Sequence, residues 1–410
     1  MSTPTSEVYV WVWLPGRDQP VPAGVLAPAR GVLAFRYGDR YLQRPDAISL
    51  YGPELPLDDQ WHQPVAGMPM PSCLRDSAPD AWGRRVILDQ LLGRRGQDAD
   101  TGLLDETTYL LESASNRIGG VDFQLNPTRY VPRGTAGTLD DLQDAARLLD
   151  EGRPIPPEIA KALYSGTAIG GARPKAILND GQNEWVAKFA STGDTLPFVN
   201  LEAAAIFMAR RAGIDVPDMQ VVTSLGRDVL LTRRFDRTPD GGRRIVVSAL
   251  TMLGVSEMDG LYATYPQILT ALRAQGARNA GEDLYRRIAF NMAISNTDDH
   301  VRNHAAFWDG HHLELTPAYD LSPSIRRGDS SRLALAFDAA GHRDSRFADL
   351  IEAAPEYGLS RPQGRAVVDA LVDSMRESWK DAADAARLTT TQRDGMWGTE
   401  FLNPAIFYND

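Results

Sequence analysis

Thr297-Asp298-Asp299-His300-Val301-Arg302-Asn303 (TDDHVRN) gathers carboxylates, an imidazole and an amide into one short stretch of a 410-residue chain. Moving a phosphoryl group onto a hydroxyl asks little of a protein. It needs a base or positioner for the hydroxyl, oxygen ligands for Mg²⁺, and a cation on the phosphates. A base Asp and an amide ligand five residues apart let one loop meet the first two needs, and Asp298 and Asn303 have that spacing. His300 follows Asp298 by two residues, where its side chain can face the transferred group. A second metal carboxylate is expected past a short strand pair. Phe307-Trp308, the turn Asp309-Gly310 and Leu313–Leu315 supply the strands, and Asp320 follows. Carboxylate and amide oxygens suit Mg²⁺. The competing reading is a helix-ending loop in which Asp, Asn and His serve as caps and turn formers. Zinc is disfavoured: His300 and His304 are four apart and His311-His312 lie nearby, but no Cys or flanking Glu completes a zinc motif.

Upstream, Gly166-Thr167-Ala168-Ile169-Gly170-Gly171 precedes two expected strands, Lys175–Leu178 and Glu184–Phe189, joined by the turn Asn179-Asp180-Gly181-Gln182. Glycines there would let backbone N–H groups approach phosphates, although no Gly-Lys-Ser/Thr makes it a Walker A loop, and a plain turn is the simpler reading. Lys188 is a lysine in an otherwise apolar strand, so it lies on an exposed face or points into a cleft. Glu202 could pair with it, or could simply face the dipole of the helix that Asn200 is expected to cap. That helix carries Arg210 and Arg211 in its last turn and stops at Gly213 and Pro217. Strands follow at Met219–Thr223 and Val229–Thr232. Arg233-Arg234-Phe235-Asp236-Arg237 is then either a nucleotide-facing linker, with Phe235 near the base, or a basic surface turn.

Val8–Leu14 is rich in Val and Trp and favours a strand, and Val32–Leu42 reads as a hairpin turning at Gly38-Asp39. Ser77 and Pro79 open a helix carrying Trp82, Val86 and Leu91, and 126–137 has linker chemistry. From Ser248 the pattern turns helical. Leu284, Ile288 and Met292 form one stripe of a helix running out at Asn296, and Gln363–Leu388 is a second long helix. The order implies an α+β fold: a β-rich opening domain (1–125), a β-rich lobe (138–245) and a helical lobe (246–410). A β-rich N-lobe followed by an all-helical C-lobe is the two-lobed, protein-kinase-like plan, here with an additional β-rich N-terminal domain.

A net charge of −11 argues against a surface that coats nucleic-acid phosphates. One cysteine, Cys73, excludes an intramolecular disulfide and fits a reducing compartment. Met1 to Glu7 lacks a basic region leading into an apolar run, and Val8–Leu14 is too short to span a bilayer, so a cytoplasmic protein is expected.

At Gly170–Lys175 (GGARPK), Trp185–Phe189, Glu202, 213–217 (GIDVP), Arg234–Arg237 (RFDR), TDDHVRN and Leu315–Asp320 (LTPAYD) the chain resembles the HipA family of bacterial toxin kinases. Asp76–Arg85 (DSAPDAWGRR) resembles the family's N-terminal region. The resemblance implies a serine/threonine protein kinase that uses ATP and Mg²⁺ and arrests growth. It also implies a HipB-type helix-turn-helix antitoxin partner, operator DNA bound only with that antitoxin, and an aminoacyl-tRNA synthetase as the kind of protein substrate. It makes Asp298 the base and gives Mg²⁺ to Asn303 and Asp320. Nucleotide would go to Gly170, Gly171, Ala172, Arg173, Lys175, Lys188, Arg233, Arg234, Phe235 and His300, with Glu202 in support. Two departures stand out. Ala168 occupies the position where the family often carries an autophosphorylated serine, with Ser165 and Thr167 nearby, and Arg233 stands where the best-known member has Glu. Two alternatives stay open. Lipid kinases share the Asp-x-His-x-x-Asn loop, so the acceptor could be a lipid or small molecule, although the negative net charge and lack of a basic amphipathic helix disfavour a membrane. The other is a catalytically silent corepressor partner of a DNA-binding antitoxin.

Overall fold

The computed structural model describes residues 7–93, 99–134, 137–156, 167, 169, 173–191, 193–326 and 328–408. It is a mixed α and β structure with antiparallel sheets. Two compact units are present: Met1–Thr195 with Val222–Val247 and Phe307–His311, and Leu196–Val221 with Ser248–Ala306 and His312–Asp410.

In the first unit, β1 (Val8–Val12), β2 (Val21–Ala29), β3 (Val32–Tyr37) and β4 (Val121–Gln124) form a sheet of order β3-β2-β1-β4. The β2–β3 connection is Arg30-Gly31, both at positive φ (53° and 87°), the two-residue turn whose twist matches its strands. The hairpin therefore turns there and not at Gly38-Asp39. Asp39–Leu42 is a single helical turn that buries Tyr41. Its ring stacks on Tyr37 at 5.7 Å, so helix spacing satisfies the aromatic pattern that reads as a strand.

A second sheet has the order β5-β6-β8-β7, from β5 (Lys175–Asn179), β6 (Glu184–Phe189), β7 (Met219–Ser224) and β8 (Arg227–Arg233). The β5–β6 turn is built as its sequence implies. Gly181 sits at φ 91°, and the Asn179 and Asp180 side chains accept backbone N–H groups of the turn. Side chains alternate along β6. Trp185, Ala187 and Phe189 enter a core with Leu142, Ala145 and Leu149 of the helix Leu139–Asp150. Trp82 and Val86 of the helix Ala81–Leu92 enter the same core. Val186 and Lys188 take the opposite face. That helix begins after Asp80, three residues beyond Ser77.

The second unit is mainly helical. The helix Phe198–Arg211 starts before Asn200, which is therefore not its cap. Asn200 instead donates Nδ2 to the Ala386 carbonyl at 2.8 Å from inside the helix. Leu284, Ile288 and Met292 are fully buried on the helix Ala280–Ala293, which ends at Ala293 and not at Asn296. The helix Tyr265–Ala274 and the helix Arg361–Ala385 both open with a capping box, at Thr264 with Gln267 and at Ser360 with Gln363. Among the described residues no helix is long and apolar enough to cross a membrane.

Candidate functional site

The acidic loop is positioned by the way its preceding helix ends. Ser295 takes a left-handed φ of 53°, its N–H bonds the Met292 carbonyl at 3.2 Å, and the Asn296 N–H bonds the Asn291 carbonyl at 2.9 Å. This is the Schellman pattern, with serine in the place glycine usually fills. It reverses the chain sharply and delivers residues 297–303 as a compact loop.

Within that loop the two adjacent aspartates are treated oppositely. Asp298 is exposed, and among the described residues no donor is bonded to its carboxylate. Its carbonyl is the anchor: it accepts the His300 N–H at 2.9 Å and the Asn303 Nδ2 at 2.9 Å. With its nitrogen so committed, Asn303 presents Oδ1, the end that can ligate a cation, and its side chain is buried. Asp299 is 2 % exposed, and three donors converge on its Oδ2: the Tyr265 hydroxyl, Asn291 Nδ2 at 2.6 Å and His304 Nε2 at 2.8 Å. Burial opposes its ionisation. The His304 charge and the hydrogen bonds from His304 and Tyr265 outweigh that and hold the carboxyl below its ordinary value.

A chain of amides ties the pieces together. Asn291 Oδ1 accepts Asn296 Nδ2 at 3.1 Å, and Asn296 Oδ1 accepts the Asp298 N–H at 3.2 Å. Asn296 Nδ2 also reaches the Asp320 carbonyl at 3.5 Å. Ala305–Trp308 and Leu313–Leu315 are strands, as the spacing implies, and the chain then arrives at Asp320. Tyr319 donates its hydroxyl to the Arg302 carbonyl at 2.8 Å, and Asp320 itself holds a left-handed φ of 54°. Ser295 and Asp320, two non-glycine residues in this sparsely populated region, thus bracket one loop, a placement typical of functional sites. His300 is half-buried, with Nδ1 facing the Arg302 N–H at 3.3 Å. Among the described residues no three His, Cys, Asp or Glu side chains cluster to hold a metal. Mg²⁺ does not need such a cluster, since it keeps several waters and takes one or two protein oxygens plus phosphates.

In the first unit, Lys175 and Lys188 are directly opposed on β5 and β6, so both project from the same face. Lys175 is 4 % exposed. Opposed positions on one face of a ladder bring two lysine side chains into the same neighbourhood. Arg173 is exposed and bonds Asp194 at 2.9 Å. Gly170, Gly171 and Ala172, with Ala168 and Ser165, lie outside the described residues. Thr167 is described and fully buried. It packs where Gly83 has no side chain, since a Cβ on Gly83 would lie 2.0 Å from the Thr167 carbonyl oxygen.

Arg234 is neither at a surface turn nor free to meet a ligand. It is 4 % exposed, grips Asp236 with two bonds (2.9 and 2.6 Å), and donates to Asn116 Oδ1 and the Arg117 carbonyl. Burial raises the Asp236 carboxyl, but Arg234 and Arg237 overcome this and hold it well below the usual range. Arg233 is exposed at the end of β8. Phe235 is half-buried, its ring edge-on to Phe307 at 5.9 Å. Glu202 is buried on the helix Phe198–Arg211 of the second unit. Sequence reasoning gives no part in holding the loop to Tyr265, Asn291, Asn296, Asp299 or His304. The available signal is Asn291, an amide beside the apolar stripe of Ile288 and Met292 on a helix whose neighbours are all buried.

Three comparisons place the chain among known proteins. A solved HipA from Shewanella oneidensis MR-1, in a toxin–antitoxin complex with HipB and operator DNA, superposes with a TM-score of 0.63. The match covers 92% of this chain and 94% of that one at 19% identity, which establishes the shared fold. Two curated proteins of Sinorhizobium fredii, named "Putative kinase Y4mE" and "Putative kinase Y4dM", are 28% identical over 215 residues and 32% identical over 139. The matches span less than half of these relatives' lengths, 47% and 34%, and 47% and 30% of this chain. The HipA-like C-terminal domain family matches residues 167–379, more than half of the chain and both clusters described above. The chain belongs to the HipA family.

Proposed function

We propose that this chain is an ATP- and Mg²⁺-dependent serine/threonine protein kinase of two-lobed plan, acting in the cytoplasm as the growth-arresting toxin of a toxin–antitoxin pair. The observation that carries the reading is the Asn303 amide bonded to the Asp298 carbonyl at 2.9 Å. It closes the loop with one exposed carboxylate and one amide oxygen presented, the two groups that phosphoryl transfer needs there.

Mg·ATP, when bound, supplies the γ-phosphoryl group and the cation that neutralises its developing charge. Asp298 orients the acceptor hydroxyl and takes its proton at the carboxylate. Asn303 Oδ1 and the Asp320 carboxylate are hard oxygen donors suited to Mg²⁺. The opposed Lys175 and Lys188 offer a cationic face to phosphates, with Arg173 and the glycine segment Gly170–Ala172 alongside, and His300 contacts the nucleotide. Glu202 is the supporting carboxylate of this reading. Arg233 and Phe235 border the base, whereas Arg234 holds the scaffold of that segment. The protein partner is a HipB-type antitoxin, through which operator DNA is contacted, and the substrate is a translation protein such as an aminoacyl-tRNA synthetase. Membership of the HipA family, the kinase names of the relatives and the HipA–HipB–DNA complex of the structural neighbour support these assignments.

Radiolabelled ATP with Mg²⁺ and a bacterial extract tests the proposal. The parent chain should label a discrete protein band on serine or threonine, and Asp298→Asn should lower the rate by about 10²–10⁴-fold with the fold unchanged. Labelling by Asp298→Asn at the parent rate would remove the base assignment. Failure of the parent to bind Mg·ATP in calorimetry would remove the kinase.

A further inference from the structure

Within the second unit a pocket of about 200 Å³ opens beside the acidic loop. One wall is Ser295 and Thr297, the latter immediately before Asp298. The other comes from the segment that follows Asp320: Ser324, Arg326, Ser331 and Arg332. Thr297 Oγ1 and Ser324 Oγ meet at 2.9 Å across the floor. Two arginines, Arg326 and Arg332, line the pocket in a chain of net charge −11. Ser295 and Thr297 belong to the acidic loop and its lead-in, whereas Ser324, Arg326, Ser331 and Arg332 have no role in the site as described so far.

The lining is pre-arranged. Arg326 is held by the Asp329 carbonyl at 2.7 Å and reaches Ser295 Oγ at 3.5 Å. Arg332 is fixed in place through its neighbours, since the Leu333 N–H bonds the Arg343 carbonyl at 2.8 Å and the Ser345 N–H bonds the Ser331 carbonyl at 2.9 Å. Its guanidinium pairs with Asp344 at 2.9 Å, and both side chains are exposed, a screened pairing that a better-placed anion can replace. The Ser331 hydroxyl oxygen is buried with no hydrogen-bond partner among the described residues. Guanidinium forks with hydroxyls match the geometry of a phosphate or carboxylate. The volume is below the range of about 300–1,000 Å³ usual for whole small-molecule ligands, and so suits a single side-chain group.

Resting on the kinase reading, we propose that this pocket binds an oxyanion carried by the protein acceptor, a phosphorylated or acidic side chain close to the hydroxyl that receives phosphate. The adjacency of Thr297 to Asp298 sets the reach. At about 3.4 Å per extended residue, the anionic side chain lies within roughly one to three residues of the accepted serine or threonine.

The test uses the full chain with three serine peptides flanked by phosphoserine, glutamate or lysine, and inorganic phosphate as a fourth probe. The phosphoserine and glutamate peptides should bind saturably in calorimetry and the lysine peptide should not. Arg332→Ala should weaken that binding by about tenfold, Arg332→Lys should recover part of it, and melting temperatures confirm folding. With Mg·ATP the parent should phosphorylate the glutamate peptide in preference to the lysine peptide, and Arg332→Ala should erase the preference. Equal binding of all three peptides, or unchanged binding in Arg332→Ala, overturns the pocket. Inorganic phosphate binding as tightly as the phosphopeptide overturns the acceptor assignment. If phosphopeptide binding needs Arg332 but the parent transfers no phosphate, the kinase reading falls and the oxyanion site stands, so the two failures are distinguishable.

Discussion

Replacing Asp299 separates the scaffold of the acidic loop from its chemistry. All three donors converge on a single oxygen, Oδ2, of a carboxylate that is 2 % exposed. Asp299→Ala strands the Tyr265 hydroxyl, Asn291 Nδ2 and His304 Nε2 in the interior. At about 1–3 kcal/mol for each unsatisfied buried donor, with partial relaxation, the loss should be about 3–5 kcal/mol. Asp299→Asn keeps the shape and one acceptor oxygen where the donors meet, so it loses chiefly the charge and should cost about 1–2 kcal/mol. Hydrogen exchange across the helix Ala280–Ala293, read against denaturant, reports the unit concerned without assuming that the whole chain unfolds in one step. The pH dependence has a definite sign. The folded carboxyl lies below its ordinary value, so its contribution is present above the unfolded value of about 3.9 and is lost as pH falls through the lower folded one. Protonation of Asp299 itself should therefore leave the gap between parent and Asp299→Asn unchanged above about pH 5 and close it below about 4. A loss under about 1 kcal/mol for Asp299→Ala, or equal losses for Ala and Asn, would show that the three donors find other partners and that Asp299 does not hold the loop.

Lys188→Ala should change the stability of the ligand-free chain by less than about 1 kcal/mol, because it removes a like-charge opposition to Lys175 along with any contact it makes, yet lower Mg·ATP affinity by roughly tenfold or more; calorimetry reads both. Gly83→Ala places a methyl 2.0 Å from the Thr167 carbonyl oxygen. It should cost about 1–3 kcal/mol by overpacking, and displacement of the segment leading into the glycine loop should raise KM for ATP, measured by steady-state kinetics. Arg234→Ala leaves Asp236 charged and buried and should cost about 3–5 kcal/mol in thermal or denaturant unfolding. Arg233→Ala, at an exposed neighbour, should stay within about 0.5 kcal/mol.

What could be read from the chain was what local chemistry determines. The strands Lys175–Asn179 and Glu184–Phe189 follow from alternation and from an Asn-Asp-Gly turn whose side chains cap their own backbone. The apolar stripe Leu284–Met292 follows from helical spacing. The misreadings occur where two local solutions fit equally. Tyr41 sits one helical turn after Tyr37 and stacks on it, which a strand pattern imitates. Asn200 has the chemistry of a cap and the carbonyl it binds is 186 residues away. Arg234 was open between nucleotide contact and surface turn because its partners Asn116 and Arg117 lie 118 and 117 residues upstream. No window along the chain contains that ion pair's surroundings.

The acidic loop shows the same limit at its smallest scale. Asp298 and Asp299 are adjacent and identical, and spacing to Asn303 nominates only the first. What makes them different is the reversal at Ser295, which turns one carboxylate outward and drives the other into a pocket already lined by Tyr265, Asn291 and His304. The buried aspartate is satisfied three times over and so is unsuited to accept a proton from a substrate. The exposed one has its backbone pinned from both sides, by Asn296 at its N–H and by Asn303 at its carbonyl, while its carboxylate is left without a donor among the described residues. A fixed backbone under an uncommitted carboxylate is what a positioned base requires. The amides that fix it reach Asp320 through Asn296. Loss of Asn296 should therefore disturb the proposed base and the proposed metal carboxylate together, lowering kcat and raising the Mg²⁺ requirement in one variant, Asn296→Ala. A change in only one of the two would mean that the Asp298 and Asp320 segments are held independently.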